Sequence, residues 1–128
     1  MRELQELNAS WPCGIDQSGI SELQLLRRLD ASHNSRITNV NHLHVLQVLD
    51  AYGCTCRIDQ NGISALQHLR KLHADNNSRI TNVNHLHELR ELNARGCCGI
   101  DQKGITELRH LRKLDAGNNI RILMQSFA

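Results

Sequence analysis

Four histidines stand in two identical VNHLH segments, His42 with His44 and, 43 residues later, His85 with His87. Two imidazoles with one residue between them can share a metal only on an extended chain, because a helical turn points them apart. In these segments the sole neighbouring carboxylate is Glu88, so no complete ligand set is visible and a solvated surface accounts for them. The cysteines Cys13, Cys54, Cys56, Cys97 and Cys98 are the other candidate ligands or nucleophiles. Neither Cys54 with Cys56 nor the vicinal Cys97 and Cys98 has the CxxC spacing of zinc sites. No nucleophile with an attendant base and no glycine-rich phosphate loop is recognisable. The expectation is a protein that is not an enzyme, with no catalytic residue, no metal and no cofactor.

The elements that carry these residues repeat. Leu-x-Ala recurs at Leu7, Leu29, Leu49, Leu72, Leu92 and Leu114, spaced 22, 20, 23, 20 and 22 residues apart. Such a period describes a solenoid in which each coil is one short strand plus a returning segment. The unit is a pair: odd coils carry IDQxGI and even coils ITNVNHL, giving a larger period of 42 or 43 residues. Residues 1–128 therefore read as a single domain of six coils. Ile15, Ile37, Ile58, Ile80, Ile100 and Ile122 form one apolar column and belong to the core. Asp16, Thr38, Asp59, Thr81 and Asp101 fill the next, where side-chain oxygens suited to helix N-caps would open short 3₁₀ or α-helical turns. Gly19, Gly62 and Gly104 recur in the odd coils as turn or helix-entry residues.

Hydrophobic residues make up 40% of the chain but aromatics only 2%, so Leu, Ile and Val must fill the core. The net charge of +2 comes from interleaved signs, which favours neither nucleic acid nor an anionic membrane. The first residues, MRELQELNAS, carry charges where a signal peptide has an apolar core, and no apolar run approaches the ~18 residues of a membrane span. An intracellular location is expected. Cysteine-bearing coils are two repeats apart, roughly 9 to 10 Å at the stacking distance of strands, which is too far for a disulfide. Reduced thiols follow.

At these residues the chain resembles the leucine-rich-repeat family, with Asn34, Cys54, Asn77, Cys97 and Asn119 at the Asn or Cys position of LxxLxLxxN/C. Within that family the alternating CGIDQxGI and NSRITNVNHL units look most like the short repeat proteins of marseilleviruses, giant viruses of amoebae. The resemblance implies an α/β fold: a right-handed solenoid with a parallel concave β-sheet and short 3₁₀ or α return segments. It also implies a role in protein recognition, and the cytoplasm of a host cell as location if the protein is viral. The Asn and Cys side chains would bond backbone in the turn leaving each strand. Pro12, the inserted Thr55, the incomplete last coil and Ala in place of the family's usual Leu depart from the pattern.

Strand side chains alternate, so residues flanking each Leu and Ala point away from the core. One column reads Glu6, Arg28, Val48, Lys71, Glu91, Lys113; the next Asn8, Asp30, Asp50, His73, Asn93, Asp115; the third Ser10, Ser32, Tyr52, Asp75, Arg95, Gly117. Glu6 beside Arg28, Glu91 between Lys71 and Lys113, and Asp75 beside Arg95 are expected opposite-charge pairs, each worth a few tenths to ~1 kcal/mol. Asp30 beside Asp50 is a like-charge pair. The candidate surface for a protein partner is Arg28, Asp30, Asp50, Tyr52, Lys71, His73, Asp75 and Arg95. Its area, roughly 350 Å², is below the ~800 Å² per partner of a standard interface, so the rims must contribute. The alternative is a structural role, a homo-oligomer stacked through uncapped coils with Met1, Leu4, Leu7, Ile120, Ile122, Leu123, Met124 and Phe127 as contacts.

Overall fold

In the computed structural model, which describes residues 3–10 and 14–122, each Leu-x-Ala unit opens on a strand of three residues. These are β1 Glu6–Asn8, β2 Arg28–Asp30, β3 Val48–Asp50, β4 Lys71–His73, β5 Glu91–Asn93 and β6 Lys113–Asp115. They form one parallel sheet in sequence order, each Leu paired with the Leu of the next coil. Backbone bonds continue past the strands: Ala31 N–H reaches Asp50 O, Gly53 N–H reaches Asp75 O, and Arg70 N–H reaches Gln47 O, each at 2.8 Å. The fold is a parallel β-solenoid. Among the described residues its return segments hold three single 3₁₀ turns, Ser18–Ile20, Asn61–Ile63 and Gln102–Ile105, and no α-helix, so the structure carries the solenoid but not the α/β class.

The core is one continuous ladder. Leu29, Leu49, Leu72 and Leu92 are fully buried, with Ala31, Ala51, Ala74 and Ala94 beside them and Ile37, Ile58, Ile80 and Ile100 behind. Ile15, Leu7, Leu108 and Leu114, in the outer coils, are only partly buried.

The turns after β2 to β6 each pass through a left-handed residue, with φ of 60° at His33, 102° at Gly53, 59° at Asn76, 64° at Gly96 and 61° at Asn118. Large and glycine positions alternate for a steric reason. A Cβ on Gly53 would overlap the His33 ring, and one on Gly96 would overlap the Asn76 amide.

Asn34, Asn77 and Asn119 then turn inward and are almost fully buried. Each donates two bonds to carbonyls of a preceding coil and accepts one from its own. Asn77 Nδ2 bonds Ala51 O at 2.8 Å and Ile58 O at 3.1 Å, while Asn77 Oδ1 accepts Arg79 N–H at 2.9 Å. In the odd coils this inward place belongs to Cys56 and Cys98, both buried, whereas Cys54 and Cys97 are exposed. This corrects the ladder assignment of Cys54 and Cys97: the odd coils have a longer turn, which moves the inward position down the chain.

On the return side, Asp16, Asp59 and Asp101 accept the N–H of Gly19, Gly62 and Gly104 at 3.0, 2.8 and 2.9 Å. Thr38 and Thr81 do not cap turns. Their N–H groups bond Gln17 Oε1 and Gln60 Oε1 of the preceding coil at 2.9 and 2.8 Å, and no 3₁₀ turn opens at these two places in the shorter even return segments. Gly62 is required by close approach as well as by its turn, since a Cβ there would overlap Thr38 O.

Among the described residues no buried side-chain nitrogen or oxygen lacks a hydrogen-bond partner. Truncating a ladder asparagine breaks that closure. Asn77→Ala should lower unfolding stability by about 1–3 kcal/mol in chemical denaturation. Cys97→Ser, at an exposed sulfur, should stay within ~0.5 kcal/mol.

Candidate functional site

The open face of the sheet bears the first two columns as the alternation requires. Arg28 is in register with Glu6 and Val48, Lys71 with Val48 and Glu91, and Asp50 with Asp30 and His73. The third column is less uniform. Ser32 is fully buried and its Oγ accepts Tyr52 N–H at 3.4 Å, so it is part of the sheet's support and not of its surface.

The ring of Tyr52 stacks on His73 with centroids 4.3 Å apart and meets His33 edge-on at 5.1 Å. The three rings make a row across coils two to four. His73 Nε2 lies 2.9 Å from Asp75 Oδ2 and its Nδ1 lies 3.7 Å from Asp50 Oδ1, so the imidazole is held between two carboxylates. His33 was absent from the candidate surface because it stands one residue beyond the third column, and only the folded turn brings it to Tyr52.

Arg95 does not pair with the Asp75 carboxylate through its guanidinium. Asp75 Oδ1 accepts the Arg95 backbone N–H at 2.8 Å, and the guanidinium reaches the other way, to both oxygens of Asp115 at 3.1 Å. The Asp75 carboxylate is already engaged by His73, which leaves the arginine to the next strand. The bond from Gly117 N–H, and then that from Arg95, hold the Asp115 carboxyl below its usual range.

Asp30 and Asp50 are the uncompensated pair. The Asp50 side chain is only 15% exposed. Asp30 Oδ1 accepts Ser32 N–H at 3.0 Å, and no arginine or lysine among the described residues bonds either carboxylate. Burial, and then the Asp30 charge, push the Asp50 carboxyl above its usual range, with His73, Arg28 and Lys71 offsetting only part of that. A cleft of about 320 Å³ opens here, lined by Glu6, Leu7, Asn8, Arg28, Asp30 and Asp50.

The histidines of the return side divide. His42 Nε2 lies 2.8 Å from Ile20 O and His85 Nε2 lies 2.9 Å from Ile63 O, so both are half-buried stitches to the preceding coil and not solvated groups. His44 and His87 are exposed. Gln17 and Gln60 are further stitches, whose recurrence in IDQ was the available sign. Among the described residues no three of His, Cys, Asp and Glu are grouped to hold a metal. Nor is any helix long and apolar enough to cross a membrane. Burial pushes the Cys56 and Cys98 thiols up to about 11.

Of the self-association candidates, Leu4 and Leu7 pack partly against the core and Ile120 is 95% exposed. Ile122 is buried in the isoleucine column. Met1, Leu123, Met124 and Phe127 lie outside the described residues. No family model matches this chain, and neither does any curated protein.

Two measurements follow from these environments. A carboxyl whose folded pKa lies above its unfolded value favours the fold when protonated, and that contribution is lost as pH rises through the interval between the two values. Asp50→Asn should therefore raise the melting temperature near neutral pH and leave it nearly unchanged at pH values below the ordinary carboxylate range. Alkylation of the native protein followed by peptide mapping should modify Cys54 and Cys97 rapidly, and Cys56 and Cys98 only after unfolding.

Proposed function

We propose that this protein is a non-enzymatic interaction module of leucine-rich-repeat type, which binds a protein partner through the open face of its sheet and the adjoining rims. One observation carries the reading. Residues 34–44 recur unchanged as residues 77–87, and the bonds they make recur with them, while the open-face residues of the same two units differ: Val48 against Glu91, Asp50 against Asn93, Tyr52 against Arg95. A scaffold held constant beneath a face that changes from coil to coil is what recognition of an asymmetric partner requires.

The centre of that face supplies residue types that dominate binding energies. Tyr52 sits in a row of rings, and Arg95, two coils further on, is about half exposed. Truncation of such residues at an interface centre costs more than ~1 kcal/mol. With the protein immobilised and a captured partner identified, Tyr52→Ala and Arg95→Ala should each weaken capture at least about fivefold. His44→Ala, on the return side, should not. The opposite pattern would transfer the site to the return side and overturn the proposal.

A further inference from the structure

The residue that precedes each strand forms a column of its own, which reads Arg27, Gln47, Arg70, Arg90 and Arg112 in coils two to six. Backbone bonds hold that column in register. Gln47 N–H reaches Arg27 O, Arg70 N–H reaches Gln47 O and Arg90 N–H reaches Arg70 O, each at 2.8 Å, and Arg112 N–H reaches Arg90 O at 2.7 Å. Adjacent strands lie ~4.8 Å apart, so Arg70, Arg90 and Arg112 are like charges on successive neighbours, an arrangement that costs stability. All four arginines are exposed, and among the described residues none of their side chains forms a hydrogen bond or ion pair. Arg79, Arg95 and Arg121, elsewhere in the fold, are each bonded. The carboxylates beside the column are matched already: Glu88 Oε2 lies 2.9 Å from His68 Nδ1, and Glu91 is in register between Lys71 and Lys113.

A second feature of this strand-entry rim is independent of charge. Leu25 and Val45, at the same place of coils two and three, are 47% and 39% exposed, and among the described residues the one other large hydrophobic so exposed is Ile120. In coils four to six that place is polar, with His68, Glu88 and His110. Beside the aliphatic pair opens a cleft of about 190 Å³, lined by Arg27, Val45, Gln47, His68, Arg70 and Glu88. An apolar wall therefore meets an unpaired arginine from coil two and another from coil four.

We propose that the strand-entry rim binds an extended acidic segment of the partner protein that carries one aliphatic residue, a specification that rests on the function proposed above. The aliphatic side chain enters the cleft and covers Leu25 and Val45, while carboxylates on either side of it meet Arg27 and the row of Arg70, Arg90 and Arg112. The lengths agree. Coils two to six span four spacings of ~4.8 Å, roughly 19 Å, which an extended chain covers with about six residues. Guanidinium forks pair with carboxylates through two parallel bonds, and the arriving carboxylates offset the repulsion within the row. A nucleic acid fits less well. It offers no aliphatic side chain to Leu25 and Val45, no Phe, Tyr or Trp lines the cleft to stack a base, and Gln47 and Glu91 interrupt the positive charge.

The test uses the whole chain, labelled with ¹⁵N, and three blocked heptapeptides. The parent is Gly-Glu-Glu-Leu-Glu-Glu-Gly; one altered peptide has glutamine for every glutamate, the other serine for leucine. Titrated at low ionic strength near neutral pH, the parent should shift the amide signals of Val45, Gln47, Arg70 and Arg90. It should bind about tenfold more tightly than the glutamine peptide and about threefold more tightly than the serine peptide. Arg70→Gln and Arg90→Gln should each weaken the parent about threefold, and Val45→Ser should remove the preference for leucine over serine. Arg57→Gln, an equal charge change at an exposed residue after the turn that follows β3, should leave binding unchanged. Equal affinity for the parent and either altered peptide, indifference to Arg70→Gln, or tighter binding of an oligothymidylate with four phosphates would overturn the acidic-segment site. In that event capture of the partner that still depends on Tyr52 would leave the interaction module standing, while capture indifferent to Tyr52→Ala would remove it too.

Discussion

A coil of about twenty residues cannot close its own backbone hydrogen bonds, and this structure depends on neighbouring coils closing them for each other. The strands do so along the sheet, but each coil must also turn out of the sheet and return, where the ladder ends. The buried asparagines solve that problem with one side chain. Asn77 supplies two donors to the coil before it and one acceptor to its own turn, and Asn34 and Asn119 repeat the arrangement. An unpaired buried carbonyl or N–H costs ~1–3 kcal/mol, and a coil without this closure would leave several.

Alternation of two coil types follows from the same constraint. Cys56 and Cys98 turn inward where asparagine does in the even coils, and accept an N–H two residues on, from Ile58 and Ile100, but thiols cannot donate twice across the stack. The following even coil compensates: Arg79 Nη1 donates to Cys56 O and Arg121 Nη1 to Cys98 O, both at 3.1 Å. The return sides are matched similarly. The odd coil's turn brings Gly62 so near Thr38 O that no larger residue fits, and Gln60 then reaches forward to Thr81 and Asn82. Odd and even coils are thus complementary, and the pair of coils is the smallest repeating structural unit.

Most of this was legible in the sequence because it depends on periodicity. The Leu, Ala and Ile columns, the strand register and the aspartate caps need only the spacing of residue types, and all lie where the repeat puts them. What spacing could not supply was the local length of the odd turn, which decides whether Cys54 or Cys56 faces inward. Nor could it supply the partners of long side chains. Arg95 could reach Asp75 or Asp115 with equal ease, and the outcome turns on His73 having already taken Asp75. His42 and His85 looked solvated because nothing in VNHLH reveals a carbonyl of the preceding coil within reach of the ring. The ring row escaped notice for a related reason, since His33 joins it only through a left-handed turn.

The open face is free to vary because it takes little part in this closure. Its side chains project from strands whose bonds run between backbone groups, so Val48 can stand where the next unit has Glu91 without disturbing a ladder bond. Where the face does bear on stability, at Asp50, its effect is unfavourable: a mostly buried carboxylate faces another carboxylate, and the nearest lysine and arginine act only from a distance. A fold assembled from near-identical parts had a neutral residue at hand for this place, since Asn93 occupies it one unit later. The unfavourable charge thus stands on a face whose side chains the strand ladder does not use, and Asn93 shows that the same strand position accepts a neutral residue.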